Sequence, residues 1–465
     1  MNFKYRVSPS IKTRRTTLQI MNELTLALLA VLVFTLVYYG TEYGMSYVVH
    51  ALALLGASLA TSLIIEFAWA KFYKKDVKKF LLSSYPWVTV LILFFTLSIN
   101  TSVYAMVIGT FVAIVLGKLL YGGFGHNIFN PAAVGRAVML TAFGARTVAD
   151  MSTSATPISS VNAQAWAIAP GGFDVFVEQF GGLTGLLTGW HPGAMGETSF
   201  LLLLVIGVVL VIREVIDWRI PVFYIGTIFG ITTIIAVASG MDLIYGVFHV
   251  ITGGAMFAAV FMLTDPVTSP LHPVGRAIYA SGAGFITVLI RLLANTPGGV
   301  LFSILIMNML VPLIDYLLAG NLIKVQKKAL SSLAILLVVF GLTSLLIGNT
   351  MKEAVASTLK DDKLFVVNEK EEGSSKVYTI ESNGFANGVN NVITVTITDG
   401  KVDKVVFDKN VDSEGYSDPA TKPDFLDSFK GLSDVSTVDT STGATFTSKS
   451  VQKAVQLALD TFGGK

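Results

Sequence analysis

Apolar residues fall in long runs along most of this chain, at roughly 24–40, 46–67, 83–98, 102–120, 129–144, 199–213, 220–239, 241–263, 276–293, 298–318 and 329–348. Most approach the length at which an apolar helix crosses about 30 Å of hydrocarbon. The pattern therefore predicts about eleven spans. The run at 129–144 is short and broken by Gly and Pro, a composition suited to broken or re-entrant helices. No small-residue cleavage site follows the first run, so it reads as a retained span.

After residue 350 the pattern becomes polar. Residues 389–411 alternate apolar and polar positions around Asp399-Gly400, a strand–turn–strand signal. Near the end, Val451, Ala454, Val455, Ala458 and Phe462 share one face of an amphipathic helix. The expected fold is an α-helical polytopic membrane protein of about ten spans (1–325), one anchor helix (326–350) and a small C-terminal α+β domain (351–465).

Composition narrows the chemistry. With 53% hydrophobic and 14% charged residues, the chain lacks the polar surface of a soluble protein of its size. A net charge of +2 gives no footprint for nucleic acid. There is no cysteine, which excludes disulfides, thiolate catalysis, cysteine-ligated zinc and iron–sulfur clusters. His50, His126, His191, His249 and His272 lack ligand spacing, so no metal site is expected. Redox chemistry here requires an organic cofactor.

Charge sets the orientation. Lys4, Arg6, Lys12, Arg14 and Arg15 precede the first span; Lys71, Lys74, Lys75, Lys78 and Lys79 follow the second. Arg213 and Arg219 follow the sixth, and Lys324, Lys327 and Lys328 the tenth. By the positive-inside rule that side is cytoplasmic. The 145–198 connection, with Asp150, Asp174, Glu178 and Glu197, then lies outside, as does everything after residue 348. The expectation is a multi-pass protein of the cell (inner) membrane, N-terminus cytoplasmic and C-terminal domain extracytoplasmic. An internal echo pairs Val134-Gly135-Arg136-Ala137-Val138 with Val274-Gly275-Arg276-Ala277-Ile278. Duplicated halves suit transporter-like folds, but an inverted repeat would place the copies on opposite sides; duplication and chance both stay open.

Two short segments share a pattern. Asp150-Met151-Ser152-Thr153-Ser154-Ala155-Thr156 and Asp439-Thr440-Ser441-Thr442-Gly443-Ala444-Thr445 both read Asp, two residues, Thr, a small residue, Ala, Thr. A single copy is ordinary loop composition, in which a threonine caps a helix or a turn. Two copies with one spacing, both on the expected outer side, are harder to dismiss as chance.

These segments resemble the flavinylation site at which a flavin transferase esterifies the last threonine with FMN. Residues 1 to about 325, including 122–139 and 264–279, resemble the D subunit of the Rnf complex, whose family includes the B subunit of the sodium-pumping NADH:quinone oxidoreductase. Residues from about 329 onward resemble the Rnf G subunit, an anchor helix followed by an FMN-binding domain. The chain looks like a fusion of the two. The resemblance implies two FMN groups, on Thr156 and Thr445, with Asp150 and Asp439 holding the loops or supporting the transfer. It leaves open a further non-covalent flavin. The phosphoester that the resemblance implies for these threonines needs an accessible hydroxyl, small flanks such as Ser154 and Ala155 or Gly443 and Ala444, and donors for the phosphate. A helix expected from about Ser448 offers free N–H groups to that phosphate, and Lys449 adds a cation. The first segment departs from the family at Ser154, where glycine is usual. Where the G-type domain contacts its flavin ring, only Glu414 and Gly415 match.

Weaker candidates have two readings each. Asn127, Asn130 and Arg136 either line a flavin pocket or, for Asn130, cap a helix ahead of Pro131. Arg276 is either a counterpart of Arg136 or a positive-inside charge; Asp315 is either on an ion path or solvated. The implied function is an electron-transfer subunit of an Rnf-type ion-translocating oxidoreductase, incomplete alone, with partner subunits, a flavin transferase for maturation and membrane lipid around it. Electron export without ion pumping, or a channel with an external binding domain, are the alternatives.

Overall fold

The computed structural model describes residues 15–148, 156–163, 166–168, 173–178, 180–197, 199–294, 299–320, 322–360, 365–372, 375–383, 390–411, 417–435, 438 and 445–463. The membrane body begins with α1 (Thr17–Glu42), α2 (Met45–Phe72), α3 (Val77–Ser84), α4 (Pro86–Phe95) and α5 (Val103–Val115). Next come α6 (Pro131–Val148), α7 (Pro157–Ala163), α8 (Phe173–Glu178), α9 (Gly182–Thr188), α10 (Phe200–Ile212) and α11 (Arg219–Ser239). It closes with α12 (Ile244–Ile251), α13 (Ala255–Phe257, continued by a π-turn to Met262), α14 (Pro273–Leu293), α15 (Gly299–Leu317) and α16 (Leu322–Lys360).

Helix starts follow local chemistry. Thr16 and Gln19 form a capping box ahead of α1. Pro86, Pro131 and Pro273 open α4, α6 and α14, where the missing N–H costs nothing. Each apolar run of the sequence falls on helical chain. Among the described residues, eight helices are long and apolar enough to span a membrane, and α12 with α13 makes a ninth bent by 59°. The segments Pro131–Phe143 and α10 are shorter; α10, at 13 residues, extends about 20 Å. Gly253 and Gly254, both at φ +70°, supply the bend between α12 and α13. A side chain is strained there.

The anchor is part of the bundle. The Phe285 and Phe340 rings stack at 4.0 Å, and Gly348 lets α16 approach α11, since a Cβ there would lie 2.5 Å from that of Ala238. Apolar side chains such as Leu26, Ile64, Val338 and Leu346 remain exposed, the surface a lipid-embedded bundle requires.

The C-terminal domain is an antiparallel sheet in the order β1 (Phe365–Glu372), β2 (Ser375–Asn383), β3 (Asn390–Thr398), β4 (Lys401–Lys409). Asp399 (φ 52°) and Gly400 (φ 75°) make the two-residue β3–β4 turn, matching the Asp-Gly hairpin signal. Two short helices, α17 (Asp418–Thr421) and α18 (Pro423–Leu426), precede α19 (Thr445–Phe462). Val451, Ala454, Val455 and Ala458 of α19 are fully buried against Tyr378, Ile393 and Val395 of the sheet. Phe462 packs at the margin of that core.

Candidate functional site

Thr156 stands at the entrance to α7. Its Oγ1 accepts the Ser159 N–H at 3.3 Å and lies 2.8 Å from Ser159 Oγ. Its carbonyl accepts Ser160 Oγ–H at 3.1 Å. The cap uses a lone pair of the threonine oxygen, so the hydroxyl proton is not committed to it. Asp150, Ser154 and Ala155 lie outside the described residues.

Behind α7 is a group of buried polar side chains. Trp166 N–H donates to Val161 O at 2.9 Å, and Trp166 adopts φ +63°, a strained conformation for so bulky a residue. Its indole stacks on His249 at 5.5 Å, and Tyr245 meets that histidine edge-on at 4.5 Å. Arg291, on α14, is fully buried. Its guanidinium donates to His249 O at 2.8 Å and Gly253 O at 3.0 Å, carbonyls at the end of α12. Any Cβ on Gly253 would lie 2.7 Å from both Arg291 Nη2 and Ile158 Cγ1 of α7. One on Gly254 would lie 2.8 Å from Glu197 Oε1. Arg291 thus sits at the negative end of α12, and Glu197 at the positive end of the helix beginning at α13.

The cluster is not internally satisfied. Among the described residues, Trp166 Nε1, Tyr245 OH, His249 Nε2 and Arg291 Nε are buried without partners, and so is Asn162 Nδ2 on α7. Leaving such a group unmatched costs about 1–3 kcal/mol.

Asn127, Asn130 and Arg136 do not form one site. Asn130 Oδ1 accepts the N–H groups of Ala132 and Ala133 at 3.1 and 3.3 Å, so it is the cap of α6. Asn127 and Asn130 line a cavity of about 70 Å³ with Lys118, Thr264 and Asp265, room for a few waters. Arg136, nearly two turns along α6, is not among the residues lining that cavity and lies within electrostatic range of Glu197. Asn308 joins residues that flank the two echo segments. Its Oδ1 accepts Asn130 N–H at 3.0 Å, and its Nδ2 donates to Thr268 O at 3.1 Å and Tyr279 OH at 2.9 Å.

Arg276 pairs with Asp217 and donates to Pro270 O at 2.9 Å. Asp315 accepts Leu271 N–H at 3.0 Å. Both are fastened to the loops between helices. Burial alone would raise the Asp217 carboxyl, but hydrogen bonds from Arg219 N–H and Arg276 outweigh it and hold it below its ordinary value of 3.8.

Thr445 is the first residue of α19, three residues ahead of the start expected near Ser448, so the threonine belongs to the first turn. Asp439, Gly443, Ala444 and Glu414 lie outside the described residues. Lys449 is exposed one turn along. Sequence reasoning passed over Trp166, Tyr245, His249, Arg291, Glu66 and Lys118. The usable signal was charge inside apolar runs, Glu66 within 46–67 and Arg291 within 276–293, where ionisable groups are costly and functional.

Residues 4–324 match the NQR2, RnfD, RnfE family, and residues 390–460 match the FMN-binding domain. The chain is 33% identical over 326 residues to the D subunit of the proton-translocating ferredoxin:NAD(+) oxidoreductase complex of Clostridium ljungdahlii, covering 67% of this chain and 93% of the relative. It is 34% identical over 325 residues to the D subunit of the Na(+)-translocating ferredoxin:NAD(+) oxidoreductase complex of Acetobacterium woodii, covering 68% and 93%.

Proposed function

Because this chain belongs to the NQR2, RnfD, RnfE family and carries an FMN-binding domain behind its membrane body, we propose that it is a membrane electron-transfer subunit of an ion-translocating ferredoxin:NAD(+) oxidoreductase complex, with FMN esterified to Thr156 and Thr445. The observation that carries this reading is the repeated Asp-x-x-Thr-small-Ala-Thr segment, each copy ending at the start of a helix, α7 and α19. FMN supplies one-electron redox states. The chain's residues supply the attachment oxygens, the small flanks and, at α19, the N–H groups of a helix start. Asp150 and Asp439 hold the acceptor loops or assist the transferase, and Glu414 and Lys449 border the second group. The other subunits deliver and remove electrons, since this chain has no cysteine for iron–sulfur clusters.

In this reading the N-terminus is cytoplasmic, and both threonines face the extracytoplasmic side. The two flavins act in series. After reduction by the native partner subunits, Thr445→Val should leave the Thr156 flavin trapped, oxidised if the outer flavin lies upstream and reduced if it lies downstream. Unchanged turnover in that variant would rule out the series arrangement.

A further inference from the structure

The unpartnered atoms around His249 have a common character. Arg291 is a donor only, so its Nη1, 3.4 Å from His249 Nδ1, makes Nδ1 the acceptor and leaves the ring proton on Nε2. His249 Nε2–H therefore joins Trp166 Nε1–H, Arg291 Nε–H and Asn162 Nδ2–H₂ as buried donors without acceptors among the described residues. Tyr245 OH is the one member able to play either part. Buried donors of native proteins are almost always matched, and a set this one-sided asks for an acceptor-rich partner.

The set is held deliberately. Trp166 takes the left-handed conformation at φ +63°, and strain of that kind persists where the surroundings impose it for function. Gly253 leaves the space that Arg291 and Ile158 share. The cluster is joined to α7 at three points: Ile158 touching that space, Val161 O accepting Trp166 N–H, and Asn162 belonging to the helix itself. Thr156 is six residues from Asn162, about 9 Å along a helix, a length that a ribityl phosphate spans.

We infer that the donors of Asn162, Trp166, His249 and Arg291 receive the carbonyl and ring-nitrogen edge of the isoalloxazine carried by Thr156. This rests on the proposed attachment of FMN to Thr156. The edge concerned presents N1, C2=O, C4=O and N5, acceptors that match four donors. Arg291 places a positive charge where reduction adds electron density, so these residues favour the reduced flavin. Tyr245 packs edge-on against His249. A free anion is the other occupant of like chemistry.

The test uses the full chain loaded by a flavin transferase, in a Thr445→Val background so that only the Thr156 flavin reports. Denaturing gels first read covalent flavin; redox titration and the visible spectrum of the folded protein then read its surroundings. Arg291→Gln is expected to keep the covalent flavin and to lower its one-electron equilibrium constant for reduction at least tenfold, about 59 mV. Trp166→Phe, which removes one unmatched donor and disturbs folding less, is expected to shift the spectrum and potential in the same direction by a smaller amount. Covalent flavin with wild-type potential and spectrum in both variants would overturn the inference while leaving the attachment intact. Absence of covalent flavin from the Thr445→Val parent would remove the attachment and this inference together.

Discussion

Lys118 and Glu66 form an ion pair of 2.8 Å inside the membrane body, their side chains 2% and 0% exposed. Ser84 completes it, donating from Oγ to Glu66 Oε1 at 2.7 Å while its carbonyl accepts from Lys118 Nζ. The lysine also lines the cavity shared with Asn127 and Asp265. A buried pair is close to neutral against a hydrophobic replacement of both members, but removing one strands the other. Lys118→Met alone should therefore destabilise the protein by about 3–5 kcal/mol. The double variant Lys118→Met/Glu66→Leu should recover most of that. Thermal unfolding in detergent measures both; equal losses in single and double variants would show that the pair is not coupled.

A second expectation concerns pH. The Asp217 carboxyl is held below its ordinary value of 3.8 because the hydrogen bonds from Arg219 N–H and Arg276 outweigh the effect of burial. A group whose folded value is depressed contributes stability above its unfolded value and loses it as pH falls through the folded one. The Arg276–Asp217 contact should thus be fully effective at neutral pH and fail only below about 3.8. Unfolding temperatures of wild type and Asp217→Asn, followed from pH 7 to pH 3, should converge at the acid end. A gap that widens toward acid pH would contradict the assignment.

The proposed orientation is accessible through the absence of cysteine. Thr184, Lys404 and Lys75 are all exposed, so cysteines there perturb little. Thr184→Cys and Lys404→Cys should react with an impermeant reagent added outside intact cells, and Lys75→Cys only after lysis. Labelling of the first two from opposite sides would mean that one of the helices between them, the short α10 first of all, does not cross.

The sequence disclosed much of this architecture because a membrane imposes a coarse rule. Leu, Val and Ile runs must be helical where no water satisfies the backbone, and all eleven runs are. The Asp399-Gly400 hairpin and the Val451–Ala458 face were equally plain, since turn chemistry and helical period are local. The proposed site was legible only as two threonines. The Trp166–His249–Arg291 cluster joins residues 166, 249 and 291 through a bend at Gly253-Gly254 that no periodicity announces. Asn127, Asn130 and Arg136 are close in sequence but do not form one site, because six residues of helix carry Arg136 away from the cavity and within electrostatic range of Glu197.

The central claim is that two threonines of one chain each carry a flavin, and the most direct measurement is covalent flavin per chain after denaturation. Co-expressed with a flavin transferase, the wild-type protein should retain two FMN per polypeptide, seen as in-gel fluorescence and as a mass increase on peptides containing Thr156 and Thr445. Thr156→Val and Thr445→Val should each retain one, and the double variant none. A double variant that still fluoresces after denaturation, or a wild-type chain that carries no covalent flavin, would contradict the account.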